Sequence, residues 1–265
     1  MAYLIVILIG LIQGIAEFLP ISSSGHLVVI YDIFNITDNT ILLSIVLHIA
    51  TLFAIIVVYY KDIMLLIKNP FCKTNKLLIT ATIPTVIIVL LFESVIDKVF
   101  KGDFVIIGFL ITAIVLFVSE IISKNNKNTF KGDILNLNIS YKNACIIGVA
   151  QGIACVPGIS RSGSTIATAL CLKESKEVAT KFSFLMSIPI IIASFLYEVL
   201  KIKDATFDFS LMQIFVGFLV AFLVGIFAIK FVITIVKKQK LYVFSIYLIL
   251  LVIILLVNKY VVVIW

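Results

Sequence analysis

"QGIAEFLPISSSGH" at residues 13–26 has a near copy, "QGIACVPGISRSGS", at residues 151–164. The two stretches align without a gap and share a leading Gln-Gly-Ile-Ala and a later Ile-Ser-x-Ser-Gly. A long polar phrase written twice in an apolar chain indicates a duplicated fold. The chemically important differences are that Glu17 faces Cys155, Ser23 faces Arg161, and His26 faces Ser164.

The composition around these phrases is that of a membrane protein. Of 265 residues, 62% are hydrophobic and 13% are charged, about half the charged share of a soluble domain. Mean hydropathy is +1.24. Lipid requires each backbone amide to bond within its own segment, so an all-α polytopic membrane protein is predicted. The net charge of +7 does not indicate a nucleic-acid partner, because the lysines lie in short loops between apolar spans.

Six apolar runs are long enough to be membrane crossings. The shortest needs its flanks to span a bilayer. The runs lie at 41–60, 77–92, 104–122, 182–200, 211–236 and 241–257. The four cysteines have neither metal-site nor disulfide spacing and are expected to be small apolar fillers.

Lysine distribution predicts the orientation of these crossings. Fourteen lysines lie in the loops 61–76, 123–142, 172–181 and 237–240, which are therefore predicted to be cytoplasmic. The alternate connections hold five: Lys98, Lys101, Lys201, Lys203 and Lys259.

Segment 143–171 both enters from and leaves into a predicted cytoplasmic loop, so it must cross an even number of times. It is too short for two crossings, which predicts a re-entrant hairpin whose irregular turn is buried in protein. Residues 3–31 carry the twin phrase and are predicted to form the twin hairpin, opening to the outside. Each half then contains one re-entrant hairpin plus three transmembrane helices. The prediction is one membrane domain, 1–265, with inverted-topology repeats at about 1–123 and 140–260.

The turn of each hairpin is expected to form an anion site. Pro20 and Pro157 are predicted to end the first half-helices. Ser22 and Ser160 are predicted to cap the returning ones. Two helix N-termini would then point at the centre of the protein, where phosphate is the expected anion. Two glycines of the repeated phrase, Gly25 and Gly163, would allow close approach of backbone or ligand.

The polar side chains near these turns are candidate functional residues. Arg161 is the only arginine in the chain, and its fork suits a bidentate grip on phosphate. Ser23 and His26 are expected to share one helix face, Arg161 and Thr165 another, with Ser23 facing Arg161 across the repeat. Glu17 is expected to pair with His26 or with a metal ion. The structural alternatives are a Glu17–Arg161 ion pair, packing roles for the other serines of the phrases, and a satisfied core role for His48.

These phrases, with "KFSFLMSIP" at 181–189 and "LHIATLFAI" at 47–55, resemble the bacitracin-resistance type undecaprenyl-diphosphatase family over nearly the whole chain. The resemblance implies an enzyme that hydrolyses undecaprenyl pyrophosphate to undecaprenyl phosphate and inorganic phosphate. That reaction recycles the lipid carrier of bacterial cell-wall synthesis. It also implies an active site open to the outer face of the cell membrane and a divalent cation, Mg²⁺ or Ca²⁺.

Carried over by position, the family's catalytic residues are Glu17, Ser23, His26 and Arg161, and Glu17 is also the implied metal ligand. Its (Glu/Gln)-x-x-x-Glu motif falls on Gln13 and Glu17, so one carboxylate is replaced here by an amide. The second motif begins at Pro157 and Gly158. The residues implied to bind substrate are Gln13, Ser22, Ser24, Gly25, Ser160, Ser162, Gly163 and Thr165.

The implied reaction is in-line displacement at the terminal phosphorus. Either Ser23 attacks with His26 as base, or His26 attacks or activates water. The lipid tail is expected to lie among the crossing helices. A homodimer is a further expectation. A transporter or flippase of an anionic polyprenyl lipid is the alternative function, because inverted repeats with broken helices are common in transporters. An intramembrane protease is disfavoured, since it would give Arg161 no role.

Overall fold

The computed structural model describes residues 2–34, 36, 41–99, 104–126, 128–129, 132–201, 209–238 and 240–262. Within those ranges the chain is helical and contains no strand, as the sequence predicts. Among the lysines used to predict orientation, Lys101, Lys127, Lys131 and Lys203 lie outside the described residues.

Eleven α-helices are present in these ranges, with a short 3₁₀ helix at Ile134–Asn136 and a π-helical turn at Asn258–Val262. The helices are α1 Ala2–Ala16, α2 Ser23–Ile33, α3 Ile41–Val58, α4 Tyr60–Lys68, α5 Lys73–Val99, α6 Phe104–Ser123, α7 Tyr141–Ile153, α8 Arg161–Cys171, α9 Lys176–Lys201, α10 Leu211–Lys237 and α11 Tyr242–Val257.

Five of these helices, α5, α6, α9, α10 and α11, are by themselves long and apolar enough to cross a membrane. They confirm five of the six predicted spans. The remaining span, 41–60, corresponds to α3, which meets the same criterion only together with α4. The two helices are bent by 82° at Tyr59, so α4 turns away from the direction of α3. The protein is therefore a multi-pass helical membrane protein.

Large apolar side chains cover much of the outer surface, and several polar side chains are buried inside, as expected for a protein in lipid. Leu90, Phe117, Phe227 and Leu250 are among many large apolar residues that remain more than half exposed. In a bilayer this surface contacts hydrocarbon. The interior holds buried polar residues, which need partners inside the protein: Gln13, Glu17, Thr51, Thr85, Thr112, Gln151 and Ser160.

Each repeated phrase forms a helix, an irregular turn and a second helix packed against the first. Ser22 and Ser160 cap the returning helices as predicted, their Oγ atoms accepting from the amides of Gly25 and Gly163 at 3.3 and 3.1 Å. The first helices end at Ala16 and Ile153, several residues before Pro20 and Pro157. The prediction that proline sits at the helix end is therefore wrong in detail, because residues 17–21 and 154–159 already turn.

The first helix of each hairpin packs through glycines on a helix from the other half of the chain. A Cβ added at Gly10 would lie 2.8 Å from the carbonyl oxygen of Gly217 in α10. One added at Gly148 would lie 2.0 Å from that of Ala81 in α5. Small residues let membrane helices approach closely in this way. Packing of each hairpin on a helix of the other half agrees with a duplicated fold. The inverted orientation of the two halves and the boundaries of the repeats stay predictions.

The turns of the two hairpins touch. A Cβ added at Gly25 would lie 2.9 Å from the Cα of Gly158, and one added at Gly163 would lie 3.1 Å from the Cβ of Pro20. Ser162 Oγ donates to the carbonyl oxygen of Leu19 at 3.1 Å, joining the two turns directly. The two hairpins therefore enclose a common centre.

Helix α6 braces the second turn. Thr112 Oγ1 donates to the carbonyl oxygen of Gly158 at 3.1 Å and accepts from the amide of Ser160 at 3.0 Å. Gly158 has a φ of +84°, a conformation that favours glycine. A Cβ added at Gly108 of α6 would lie 2.5 Å from the carbonyl oxygen of Pro157. These contacts fix where α8, and with it Arg161, begins.

Candidate active site

Glu17 is the centre of the polar cluster between the hairpins. It lies in the turn just after α1 and is only 7% exposed. Its Oε2 accepts from Ser23 Oγ at 2.6 Å and from Gln13 Nε2 at 3.1 Å. Its Oε1 accepts from a guanidinium nitrogen of Arg161. One carboxylate thus joins α1, the start of α2 and the start of α8.

The Glu17–Arg161 ion pair sets the two buried charges against each other. The side chains are 5% and 17% exposed. Removing one partner of such a buried pair costs about 3–5 kcal/mol, because the other charge is left uncompensated. Ser23 and Arg161 share this acceptor, which agrees with their predicted facing positions. In this state the guanidinium of Arg161, which is expected to bind phosphate, is paired with Glu17.

His26 lies elsewhere in the hydrogen-bond network. Its Nδ1 is 2.7 Å from the carbonyl oxygen of Ser22, and its Nε2 is 2.7 Å from Tyr247 Oη in α11. Its ring stacks on Tyr247 and meets the edge of Phe109. The expectation that Glu17 pairs with His26 is wrong for this state, because Arg161 and Ser23 take the carboxylate. Although Ser23 and His26 share a helix turn, their side chains bind different partners.

His48 is a neighbour of Glu17 that the sequence did not identify. Its Nε2 lies 4.0 Å from Glu17 Oε2, while its Nδ1 lies 2.9 Å from the carbonyl oxygen of Ser44. The hydrogen bond to Ser44 agrees with the satisfied role expected for His48, but Nε2 also lies beside the polar cluster. A carbonyl oxygen cannot donate, so Nδ1 carries a proton and Nε2 is the atom turned toward the carboxylate. An ionisable residue inside an apolar span was the available signal.

Gln13, which donates to Glu17, also carries a buried amide oxygen. The residue is fully buried, and its Nε2 must face Glu17 because a carboxylate only accepts. Its Oε1 has no hydrogen-bond partner within the described residues. A buried amide oxygen beside a carboxylate is a donor pair suited to a hard divalent cation, which takes oxygen ligands. No cluster of three His, Cys, Asp or Glu side chains occurs in the described ranges, so such a cation would need ligands from substrate or water.

The remaining predicted binding residues line the two turns. Ser22 Oγ lies 3.3 Å from Ser24 Oγ, and Ser160 Oγ lies 3.3 Å from Ser162 Oγ, so the two turns carry matching hydroxyl pairs. Thr165 Oγ1 donates to the carbonyl oxygen of Arg161 at 2.9 Å. It also lies 2.6 Å from the hydroxyl of Ser183 in α9, a contact that the sequence did not reveal.

The fold and site define a class: a helical integral membrane protein in which two broken hairpins meet around a buried carboxylate–arginine pair. Ser23 at the start of α2 and Arg161 at the start of α8 meet on that carboxylate. The chain belongs to the family described as bacitracin resistance protein BacA, whose model matches residues 6–254.

Relatives named as undecaprenyl-diphosphatases align with most of this chain. An undecaprenyl-diphosphatase of Alkaliphilus metalliredigens (strain QYMF) is 41% identical over 262 residues, covering 91% of this chain and 93% of the relative. One of Carboxydothermus hydrogenoformans is 38% identical over 245 residues, with 91% coverage of each chain. One of Methanosphaera stadtmanae is 39% identical over 265 residues, covering 91% of this chain and 92% of the relative.

Proposed function

We propose that this protein is a membrane phosphatase that hydrolyses undecaprenyl pyrophosphate to undecaprenyl phosphate and inorganic phosphate. The observation that carries the proposal is the joining of Ser23, Glu17 and Arg161 where two helix N-termini meet. A hydroxyl, a carboxylate and a guanidinium in contact supply a nucleophile, a base and a phosphate ligand. Membership of the family and its similarity to undecaprenyl-diphosphatases support the same activity.

Substrate binding is proposed to exchange the partner of Arg161. In the resting state the guanidinium is paired with Glu17. A pyrophosphate carries more charge than one carboxylate and offers the bidentate geometry that arginine prefers. The terminal phosphate would take Arg161, together with first-turn amides of α2 and α8, and so release Glu17. In this proposal the ion pair keeps Glu17 and Arg161 bound to each other until substrate arrives.

The contacts favour Ser23 over His26 as the nucleophile. Ser23 Oγ donates to Glu17 at 2.6 Å, so its proton already points at a base. In the first step that proton passes to Glu17 and Oγ bonds to the terminal phosphorus. The bond from phosphorus to the bridging oxygen breaks, and undecaprenyl phosphate leaves with the electron pair. Arg161 neutralises charge on the phosphoryl oxygens.

Hydrolysis of the phosphoserine completes the cycle. Water attacks phosphorus while His26 Nε2 takes one of its protons. The Oγ–P bond breaks, and Glu17 returns its proton to Ser23. The other water proton stays on the released phosphate, and His26 gives its proton to solvent. The charges then balance, with one proton released per pyrophosphate cleaved.

A divalent cation, Mg²⁺ or Ca²⁺, is proposed to assist. Oε1 of Glu17, once Arg161 has turned to phosphate, and the unpartnered Oε1 of Gln13 would provide oxygen ligands for it, while Oε2 of Glu17 remains the base for Ser23. When bound, such an ion neutralises charge on the pyrophosphate oxygens. With a single carboxylate available, binding of the cation is expected to depend strongly on the substrate phosphates.

The proposed setting is the bacterial cell membrane, with the active site open to the outer face. The lysine-rich loops support this orientation. The undecaprenyl tail would lie among the apolar helices, with the head group between the hairpins. The reaction would recycle the lipid carrier for peptidoglycan synthesis and confer resistance to bacitracin. We also propose that two copies pair as a homodimer. The molecular mass of the purified protein in solution tests this pairing.

Phosphate release from undecaprenyl pyrophosphate by the purified full-length protein in lipid nanodiscs tests this function. We expect release of inorganic phosphate with Mg²⁺ or Ca²⁺ and a large loss of rate with a chelator. Replacing the pyrophosphate lipid by undecaprenyl phosphate should abolish release, because no anhydride bond remains.

Binding of the lipid without phosphate release, with or without divalent cations, would contradict the phosphatase proposal. Movement of the lipid between leaflets of sealed vesicles, without hydrolysis, would support the transporter alternative instead. The hydroxyl–carboxylate contact of Ser23 and Glu17 favours the phosphatase, because a transporter needs a binding charge but no nucleophile.

A further inference from the structure

Tyr247 is the only side chain shown to contact Nε2 of His26 within the described residues, and neither the family's motifs nor the site prediction includes it. It lies in α11, in the opposite half of the chain. Its hydroxyl is 2.7 Å from Nε2, and its ring stacks on the imidazole with a centroid distance of 5.8 Å and an interplanar angle of 8°. Phe109 meets the imidazole edge at 5.0 Å.

The hydrogen bonds define the roles of the two ring nitrogens. The carbonyl oxygen of Ser22, 2.7 Å from Nδ1, can only accept, so Nδ1 carries a proton. In the neutral ring Nε2 then holds the lone pair and accepts from the Tyr247 hydroxyl. The one basic atom of His26 is therefore covered by Tyr247 in the resting state.

We propose that Tyr247 is a positioning residue for His26, holding the imidazole plane and covering Nε2 until the hydrolytic water takes the place of its hydroxyl. This inference rests on the proposed function, in which His26 accepts a proton from that water. Hydrogen bonds at both ring nitrogens fix the rotation of the imidazole. Removing the hydroxyl leaves Nε2 without its side-chain hydrogen bond, while the Ser22 and Phe109 contacts remain, so the ring is held less firmly and Nε2 is uncovered.

Tyr247→Phe tests the inference through two readouts. The chain has two histidines, so the reaction of each with diethyl pyrocarbonate can be followed separately by mass spectrometry. This reagent attacks an unprotonated imidazole nitrogen. We expect His26 to react several-fold faster in Tyr247→Phe, with His48 unchanged. We also expect kcat for phosphate release to fall about tenfold with KM unchanged, since small misplacements of a catalytic group are costly.

Tyr242→Phe is the matched control, because Tyr242 lies in the first turn of the same helix and is similarly exposed. It should leave both readouts unchanged. An unchanged His26 labelling rate in Tyr247→Phe would overturn the covering role. Faster labelling with unchanged kcat would overturn the positioning role. Because labelling needs no turnover, it still reports on the contact if the protein proves not to be a phosphatase.

Discussion

Arg161→Ala should lower kcat/KM for phosphate release by about a thousandfold, the lower end of what a phosphoryl-binding arginine contributes. Two causes act together. The terminal phosphate loses its guanidinium, and Glu17 is left as an unpaired charge at a site only 7% exposed. The second cause also destabilises the folded protein, by about 3–5 kcal/mol for a buried pair. Initial rates with undecaprenyl pyrophosphate and the thermal midpoint should be measured on the same preparation.

A double variant separates the two causes. Arg161→Ala combined with Glu17→Gln removes both charges, so it should recover much of the lost stability while remaining inactive. Lys181→Ala is the matched single control, since it breaks the 2.9 Å ion pair with Asp62. Partly exposed pairs contribute about 0–1 kcal/mol, so stability and rate should change little. Near-normal turnover by a folded Arg161→Ala protein would contradict the role of Arg161 in binding phosphate.

Ser23→Ala should lower kcat by at least about a thousandfold, because loss of a nucleophile removes the first chemical step. KM should change little, since Arg161 and the helix N-termini remain to bind the head group. The fold should also persist, because Glu17 keeps its bonds from Arg161 and Gln13. Single-turnover phosphate release separates this loss from any change in substrate binding.

Ser164→Ala is the control for Ser23→Ala. Ser164 occupies the position in the second hairpin equivalent to His26, is buried, and has no role in the proposed reaction. It should leave kcat within a few fold. Retention of more than a tenth of the activity by Ser23→Ala would show that Ser23 is not the nucleophile. The attack would then be by water, with Glu17 or His26 as its base.

Local signals in the sequence predicted much of the fold. Apolar runs located the crossing helices, because lipid demands length and hydrophobicity within each segment. A serine shortly after a proline located both helix caps, because capping depends only on neighbouring residues. The ends of α1 and α7 were less accurate, since the turns begin before the prolines that mark them.

Contacts between distant segments could not be predicted in the same way. The repeated phrases indicated that Glu17, Ser23 and Arg161 belong to one site, but they left open whether Glu17 pairs with Arg161, with His26 or with a metal ion. His48 reaches Glu17 only because α3 packs beside the first hairpin. Tyr247 reaches His26 from α11, and nothing in either local sequence indicates that contact. Side-chain partners across helices depend on packing, which the periodicity of one helix does not encode.

A structure of the protein bound to a methylene analogue of undecaprenyl pyrophosphate tests the central claim most directly. That claim is that the meeting hairpins bind the terminal phosphate by taking Arg161 from Glu17. We expect the terminal phosphorus between the first residues of α2 and α8, with Arg161 on its oxygens and no longer paired with Glu17. A head group bound elsewhere, with the Glu17–Arg161 pair intact, would contradict the claim.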